Sequence, residues 1–260
     1  MSNFNHLIVE SQDGVVSLTI NRPEVGNAFD GALIKELLDT LETLKSTDIR
    51  LLVLKSSGKH FSTGADLNWM KHARHLNREE NLADAHQLAK LLRQLNTFPC
   101  PTLAVVQGAA YGGAVGLVSA CDMAIGTDSA RFCLSEVRVG LAPAVISPYV
   151  IAAIGLRQAR RYILSAEMMS SEQALSIGLI HECCTDQQLK ITVEQIIQDI
   201  LLNSPGAMKE AKSLMLDIAH RPIDQPVIDK TCESIARIRV SAEGQEGVSA
   251  FLEKRKPLWQ

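Results

Sequence analysis

Pro101-Thr102-Leu103-Ala104-Val105-Val106-Gln107-Gly108-Ala109-Ala110-Tyr111-Gly112-Gly113-Ala114-Val115-Gly116-Leu117-Val118-Ser119-Ala120-Cys121-Asp122-Met123-Ala124-Ile125 is the stretch on which the fold turns. It carries no charge before Asp122 and is long enough to cross a bilayer. Gly108, Gly112, Gly113 and Gly116 interrupt it, however, and Gln107 lies inside it. The reading that fits is a buried strand over 102–106, a glycine-rich turn, a compact helix opened by Gly112-Gly113 and running to Cys121, and a returning strand over 123–125.

The same alternation continues toward the N-terminus. Leu51 to Leu54 is a short all-apolar run, as expected of a strand buried on both faces. Asp30 reads as the N-cap of a helix whose Leu33, Leu37, Leu38, Leu41 and Leu44 fall at helical spacing. Ile8 to Glu10 and Val15 to Ile20 form a hairpin across Gln12-Asp13-Gly14, and Asn21-Arg22-Pro23 ends it. A loop over 58–66 enters a short helix over 67–72, and a longer amphipathic helix over 81–95 ends at Pro99 and Pro101. Strands and helices alternating with short connections imply an α/β fold with parallel pairing. After Ser147 helical periodicity dominates: 159–164, 171–177, 187–202, 207–219, 226–240 and 243–255. No Gly/Ser linker separates these helices from the rest.

With 260 residues, 46% hydrophobic and 21% charged, the chain has globular composition. A net charge of −3 and an aromatic content of 4% exclude a general nucleic-acid surface. Six cysteines, without a C-x-x-C pair and mostly in apolar runs, are expected to be reduced core residues of a cytoplasmic protein. The start, MSNFNHLIVE, lacks the pattern of a signal peptide. No H-E-x-x-H or other cluster at metal-ligand spacing is present, so no metal site is expected, and a G-x-S-x-G elbow is absent as well.

Three segments carry the chemistry: His60-Phe61-Ser62-Thr63-Gly64-Ala65-Asp66-Leu67, Gln107 to Ala114, and Phe132-Cys133-Leu134-Ser135-Glu136-Val137-Arg138-Val139-Gly140. Small residues at 64–65 and 112–113 let a ligand approach the main chain. Gly113 opens a helix, where N–H groups lack intrahelical acceptors. Two such groups aimed at one point make an oxyanion hole, reinforced by the helix dipole. Each glycine pair by itself serves equally to allow close strand–helix packing; it is the two together that point to a site.

These motifs resemble the enoyl-CoA hydratase/isomerase (crotonase) family. Asn21-Arg22-Pro23 with Asn27-Ala28 resembles its N-terminal signature, and Phe251-Leu252-Glu253-Lys254-Arg255-Lys256-Pro257 its C-terminal one. The resemblance implies a spiral of ββα repeats over 1–200, a helical trimerisation region over 201–260, and homotrimers or dimers of trimers. It implies an acyl-CoA thioester as ligand, with coenzyme A as part of the substrate and no separate cofactor. By residue-wise correspondence the N–H groups of Ala65 and Gly113 form the oxyanion hole. Val25, Ser62, Ala65, Asp66, Leu67 and Asn68 hold the coenzyme A moiety. Lys254 either reaches the phosphates bound to a neighbouring subunit or is a solvated charge.

Family hydratases use two glutamates. Glu136 matches one, whereas the other position is occupied here by Gly116. Glu136 is therefore the candidate acid/base, expected in a desolvated pocket that raises its pKa. The segment Leu141-Ala142-Pro143-Ala144-Val145-Ile146-Ser147-Pro148-Tyr149 resembles a bacterial subgroup acting on carboxylated, branched enoyl-CoAs such as 3-methylglutaconyl-CoA, in leucine and acyclic-terpene breakdown. Hydration of such a thioester is the leading reading. Isomerisation of a 3-enoyl to a 2-enoyl thioester with a single glutamate is the alternative, and a non-catalytic binding protein on the same fold is a third. Arg138, two residues from Glu136, is a candidate partner for an anionic acyl end if the strand continues, and otherwise a surface ion pair. Trp69, Met70 and the space at Gly116 are candidates for the acyl pocket, with core packing as the other role for Trp69 and Met70. Asp66 is read as a helix cap as well.

Overall fold

The computed structural model describes residues 6–260. The chain opens with β1 (Leu7–Gln12) and β2 (Val15–Ile20), an antiparallel hairpin. Its two-residue loop holds Asp13 at φ 50° and Gly14 at φ 78°, the left-handed pair that a tight hairpin requires. A short 3-10 turn, Pro23–Val25, leads to α1 (Gly31–Leu44). The Asp30 carboxylate accepts from the Leu33 N–H, as its place before the periodic leucines implies. Then follow β3 (Leu51–Ser56), α2 (Leu67–Ala73), α3 (Arg78–Asn96) and β4 (Thr102–Val106).

The deciding stretch divides as β4, β5 (Ala109–Tyr111), α4 (Gly113–Ala120) and β6 (Met123–Thr127). No helix among the described residues is long and apolar enough to cross a membrane. Beyond it lie β7 (Arg131–Cys133), a 3-10 helix over Glu136–Val139, α5 (Ser147–Ser165), β8 (Met169–Ser170), α6 (Ser171–Ser176), β9 (Glu182–Cys184), α7 (Leu189–Leu201), α8 (Pro205–Ile218), α9 (Gln225–Arg239) and α10 (Ala242–Leu252).

The strands form two sheets. The larger has the order β1-β2-β3-β4-β6-β9, parallel from β2 onward. The smaller has the order β5-β7-β8. Alternation along the parallel strands buries both faces of the large sheet. Leu52, Leu54, Ala104 and Val106 enter the main core with α1, α3 and α4, whereas Leu51, Val53, Leu103, Val105 and Ile125 meet Leu189, Val193, Ile196, Ile197 and Ile200 of α7. A strand sandwiched in this way must be apolar along its covered length, which is why 51–54 and 103–106 are unbroken hydrophobic runs.

The last helices are fastened by specific polar groups. Lys212 of α8, 5% exposed, donates to Asp122 Oδ2 at 2.6 Å and to the Cys100 carbonyl at 3.2 Å. Asp122 Oδ2 also accepts from the Thr102 N–H and hydroxyl. Arg50 donates to the carbonyls of Leu201, Asn203 and Trp259, tying the end of α7 and the C-terminus to the start of β3.

Candidate active site

The loop after β3 is held by the edge of the small sheet. Ser62 and Ala110 form a parallel bridge: the Ser62 N–H donates to the Ala109 carbonyl at 2.9 Å, and the Tyr111 N–H donates to the Ser62 carbonyl at 3.0 Å. Three residues beyond Ser62 is Ala65, and three beyond Ala110 is Gly113. The bridge therefore delivers these two residues side by side, and both line one cavity of about 320 Å³. Gly64, at φ 96°, would bring a Cβ to 3.2 Å from the Tyr111 carbonyl oxygen, so the two segments approach as closely as glycine permits.

Three of the amides beside Ala65 and Gly113 are occupied. Gly64 donates to Ser62 Oγ, Asp66 to the Phe29 carbonyl and Gly112 to the Cys133 carbonyl. Among the described residues, the N–H groups of Ala65 and Gly113 have no acceptor. Gly113 is the first residue of α4, and Gly112, its N-cap, adopts φ 55°, ψ −119° and offers no side chain to the helix start. The dipole of α4 thus ends on an open N–H at the cavity wall.

Glu136 faces this point. A Cβ added to Gly112 would lie 3.2 Å from Glu136 Oε1. The other carboxyl oxygen, Oε2, is buried and has no hydrogen-bond partner. Burial pushes the carboxyl above its ordinary value, opposed by its own backbone N–H. Among the described residues Glu136 is the only ionisable side chain lining the cavity; beside Ala65 and Gly113 the wall is Phe29 and Ile34, Trp69 of α2, Ala85 and Leu88 of α3, and the segment 142–146.

Several residues proposed from sequence take other places. The strand does not continue through Arg138: residues 136–139 form a 3-10 helix, in which positions two apart point in different directions. Arg138 is turned away, its guanidinium donating to the Ala166 carbonyl at 2.6 Å, so it braces the end of α5 and does not line the cavity. Met70 is adjacent to Trp69 on a helix, about 100° around the axis, so only Trp69 reaches the cavity. Gly116 is buried beneath Ile146 and leaves no open space there. Ser62 is fully buried, its N–H and carbonyl paired with the small sheet and its hydroxyl oxygen accepting from the Gly64 N–H, so it positions the loop from beneath.

Asp66 caps α2, accepting from the Asn68 and Trp69 N–H groups through Oδ1, while Oδ2 faces Arg22 at 3.6 Å. Arg22 also pairs with Asp30 at 2.8 Å and donates to the Ala28 carbonyl. The Asn21-Arg22-Pro23 signature therefore has a physical task, bracing two helix starts beside the cavity. Asn27, at φ 55° and fully buried, accepts from the Arg22 N–H and donates to the Ser57 and His60 carbonyls, clamping the same loop. Val25, Ala65, Leu67 and Asn68 are exposed on these two adjoining segments. Lys254 lies beyond α10, exposed, at φ 55°, and does not line the cavity. Sequence reasoning missed Ile146 as a cavity residue. Its quoted neighbours carried the signal, but its approach to Gly116 is a long-range contact that no local pattern encodes.

Comparison with known proteins agrees with this geometry. Residues 10–260 match the enoyl-CoA hydratase/isomerase family. The structure superposes on that of an enoyl-CoA hydratase from Shewanella pealeana with a TM-score of 0.96 and 46% identity, covering 99% of this chain and 97% of that one. The sequence is 30% identical over 257 residues to the 2,3-dehydroadipyl-CoA hydratase of Escherichia coli K12, spanning 97% of this chain and 98% of the relative. It is 29% identical over 258 residues to a trans-2-decenoyl-[acyl-carrier-protein] isomerase of Streptococcus mutans, spanning 98% of each. An α/β scaffold with two free amides and a half-buried glutamate at one cavity, matched along almost its whole length, places the chain in the enoyl-CoA hydratase/isomerase family.

Proposed function

We propose that this protein hydrates a 2-enoyl-CoA thioester, with Glu136 as its single proton-transfer group. The observation that carries this reading is the unpartnered Glu136 carboxyl standing over the open helix start at Gly112-Gly113. With the thioester oxygen held by the Ala65 and Gly113 N–H groups, negative charge developing on that oxygen is stabilised, each donor contributing about 2.7–4 kcal/mol. Glu136 as carboxylate takes a proton from water as the water oxygen adds to the β-carbon. The resulting enolate then receives that proton at the α-carbon from the same carboxyl, so both additions occur on one face. A pKa raised by desolvation suits a group that must act as base and then as acid.

The acyl group we favour is branched and carboxylated, as in 3-methylglutaconyl-CoA of leucine or isoprenoid catabolism. Support comes from the sequence resemblance of the 141–149 segment and from a relative named for a dehydroadipyl thioester. Because Arg138 is engaged with Ala166, a cation for the distal carboxylate must come from elsewhere. Coenzyme A is assigned to the exposed rim formed by Val25, Ala65, Leu67 and Asn68. The exposed apolar side chains Ile235, Phe251 and Leu252 on α9 and α10 support assembly as a homotrimer or a dimer of trimers, in which Lys254 reaches a neighbour's coenzyme A.

One observation favours a second reading. Ile146 fills the space beside Gly116, and among the described residues no second carboxyl lines the cavity to hold water; a lone carboxyl can instead carry a proton between two carbons of a 3-enoyl thioester. The test is to offer purified protein 3-methylglutaconyl-CoA, crotonyl-CoA and a 3-enoyl-CoA and to follow product mass. Gain of one water from the 2-enoyl thioesters supports hydration. Double-bond migration without a mass change, and no water uptake from either 2-enoyl thioester, overturns it in favour of isomerisation.

A further inference from the structure

Gly116 follows Gly113 by three residues on α4, on the same helix face, so a side chain there would stand next to the cavity. The room it leaves is taken. A Cβ at position 116 would fall 2.3 Å from Ile146 Cγ2 and 2.8 Å from Ile146 Cβ, far inside contact distance. Leu92 Cδ2, at 3.5 Å from the same point, closes another side. Ile146 is 2% exposed and yet lines the cavity, so one flank faces the acyl space and the other is sunk against α4.

The backbone holds it there. Ile146 precedes α5, whose second residue is Pro148. Ser147 Oγ donates to the Pro143 carbonyl at 2.6 Å, and the Val150 N–H donates to the Ile146 carbonyl at 3.1 Å. An Ile146 side chain displaced from α4 therefore has the cavity to move into. Glu136 lines that same cavity, so any such movement narrows the space beside the proton-transfer group.

We propose that Gly116 and Ile146 act as one specificity element, in which the absent side chain at 116 lets Ile146 withdraw from the cavity and so admits acyl groups bearing an alkyl branch at the β-carbon. The proposal rests on the reading of the site as an acyl-CoA site, and it names the substrate class of that site. It requires no particular reaction. A buried aliphatic wall discriminates single methyl groups by about tenfold or more, which is the scale to expect.

Binding of two unreactive thioesters, 3-methylbutanoyl-CoA and butanoyl-CoA, to the full chain by calorimetry tests it. Wild type should bind the branched thioester at least as tightly as the straight one. Gly116→Ala should weaken the branched thioester about tenfold more than the straight one. In an Ile146→Ala background, where nothing needs to be displaced, the same change should alter that ratio less than about twofold. Equal weakening of both thioesters by Gly116→Ala, or an unchanged effect in the Ile146→Ala background, overturns the proposal. Ile146→Ala alone needs no displacement and serves if Gly116→Ala does not fold: with that wall cut back the branched thioester should still bind at least as tightly as the straight one, and a preference turned toward the straight thioester overturns the proposal as well. Binding that follows this pattern in a protein that hydrates neither 3-methylglutaconyl-CoA nor crotonyl-CoA would defeat the hydratase reading and leave the specificity element standing.

Discussion

Helices α2 and α4 both begin at the cavity, α2 with the Asn68 and Trp69 N–H groups bonded to the Asp66 carboxylate, α4 behind a glycine with no side chain to offer its first N–H group. A capped start is complete in itself and carries structure: Asp66 ties α2 to Arg22 and, through it, to the start of α1. An uncapped start is a standing demand for an acceptor. Placed opposite a half-buried carboxyl with an unpartnered oxygen, it is the feature on which the proposed stabilisation of an oxyanion and transfer of a proton rest. The same element of backbone thus serves architecture or chemistry according to one residue, aspartate or glycine.

The contrast can be broken most severely at the carboxyl. Glu136→Gln is expected to lower kcat by about 10²–10⁴-fold, the range for loss of a general acid–base, while calorimetry with a saturated acyl-CoA shows binding retained. Binding lost together with turnover would mean that Glu136 holds the ligand rather than moving a proton. Next comes Gly112→Ala. The substitution forces a side chain onto φ 55° and to 3.2 Å from Glu136 Oε1, disturbing the open start and the carboxyl at once. A loss of about 10²-fold in kcat is expected, similar to removing one oxyanion donor, and stopped-flow kinetics with the folded variant checks it.

The capped start should respond differently. Asp66→Ala is expected to destabilise the protein by about 1 kcal/mol in chemical denaturation, with a smaller effect on kcat than Gly112→Ala. A reversal of that order would show that α2, not α4, supplies the chemistry. The smallest effect is in pH. Because burial raises the Glu136 pKa above 4.5, the acid limb of kcat/KM for hydration should lie above the ordinary carboxylate range, with activity rising as the group deprotonates. For stability the sign is fixed by the same shift. The native state favours the protonated form, so this contribution is full below the unfolded value and is lost as pH rises through the raised native value. Glu136→Gln should accordingly melt higher than wild type at about pH 8, and the difference should vanish toward about pH 4; thermal melts across that range decide it.

Much of this was legible in the chain. Asp30 and Asp66 announced their caps because a cap is a local event, and β4 was read to the residue because a strand covered on both faces admits no polar position beyond its first, Thr102, which is paired with Asp122. The hairpin and the glycine pair at 112–113 were legible for similar reasons. The strands β5, β7, β8 and β9 have two or three residues each, too few to show an alternating period, and only the pairing of distant segments makes them strands. Gly155, at φ 72°, breaks α5 in two, which is why helical spacing was evident over 159–164 and not before it. Arg138 was misplaced because a 3-10 turn and a continued strand look alike over four residues, yet send the side chain to different neighbours.

The parallel bridge between Ser62 and Ala110 has a bearing on how this protein can be altered. It measures out two equal lengths of chain, so the site depends on counting residues as much as on choosing them. Exchanges on the outer rim leave that count intact, whereas a single residue inserted between Ser62 and Ala65 would turn one amide toward the opposite side and silence the enzyme without unfolding it. Libraries built on this scaffold should therefore vary letters in that loop and keep its length fixed.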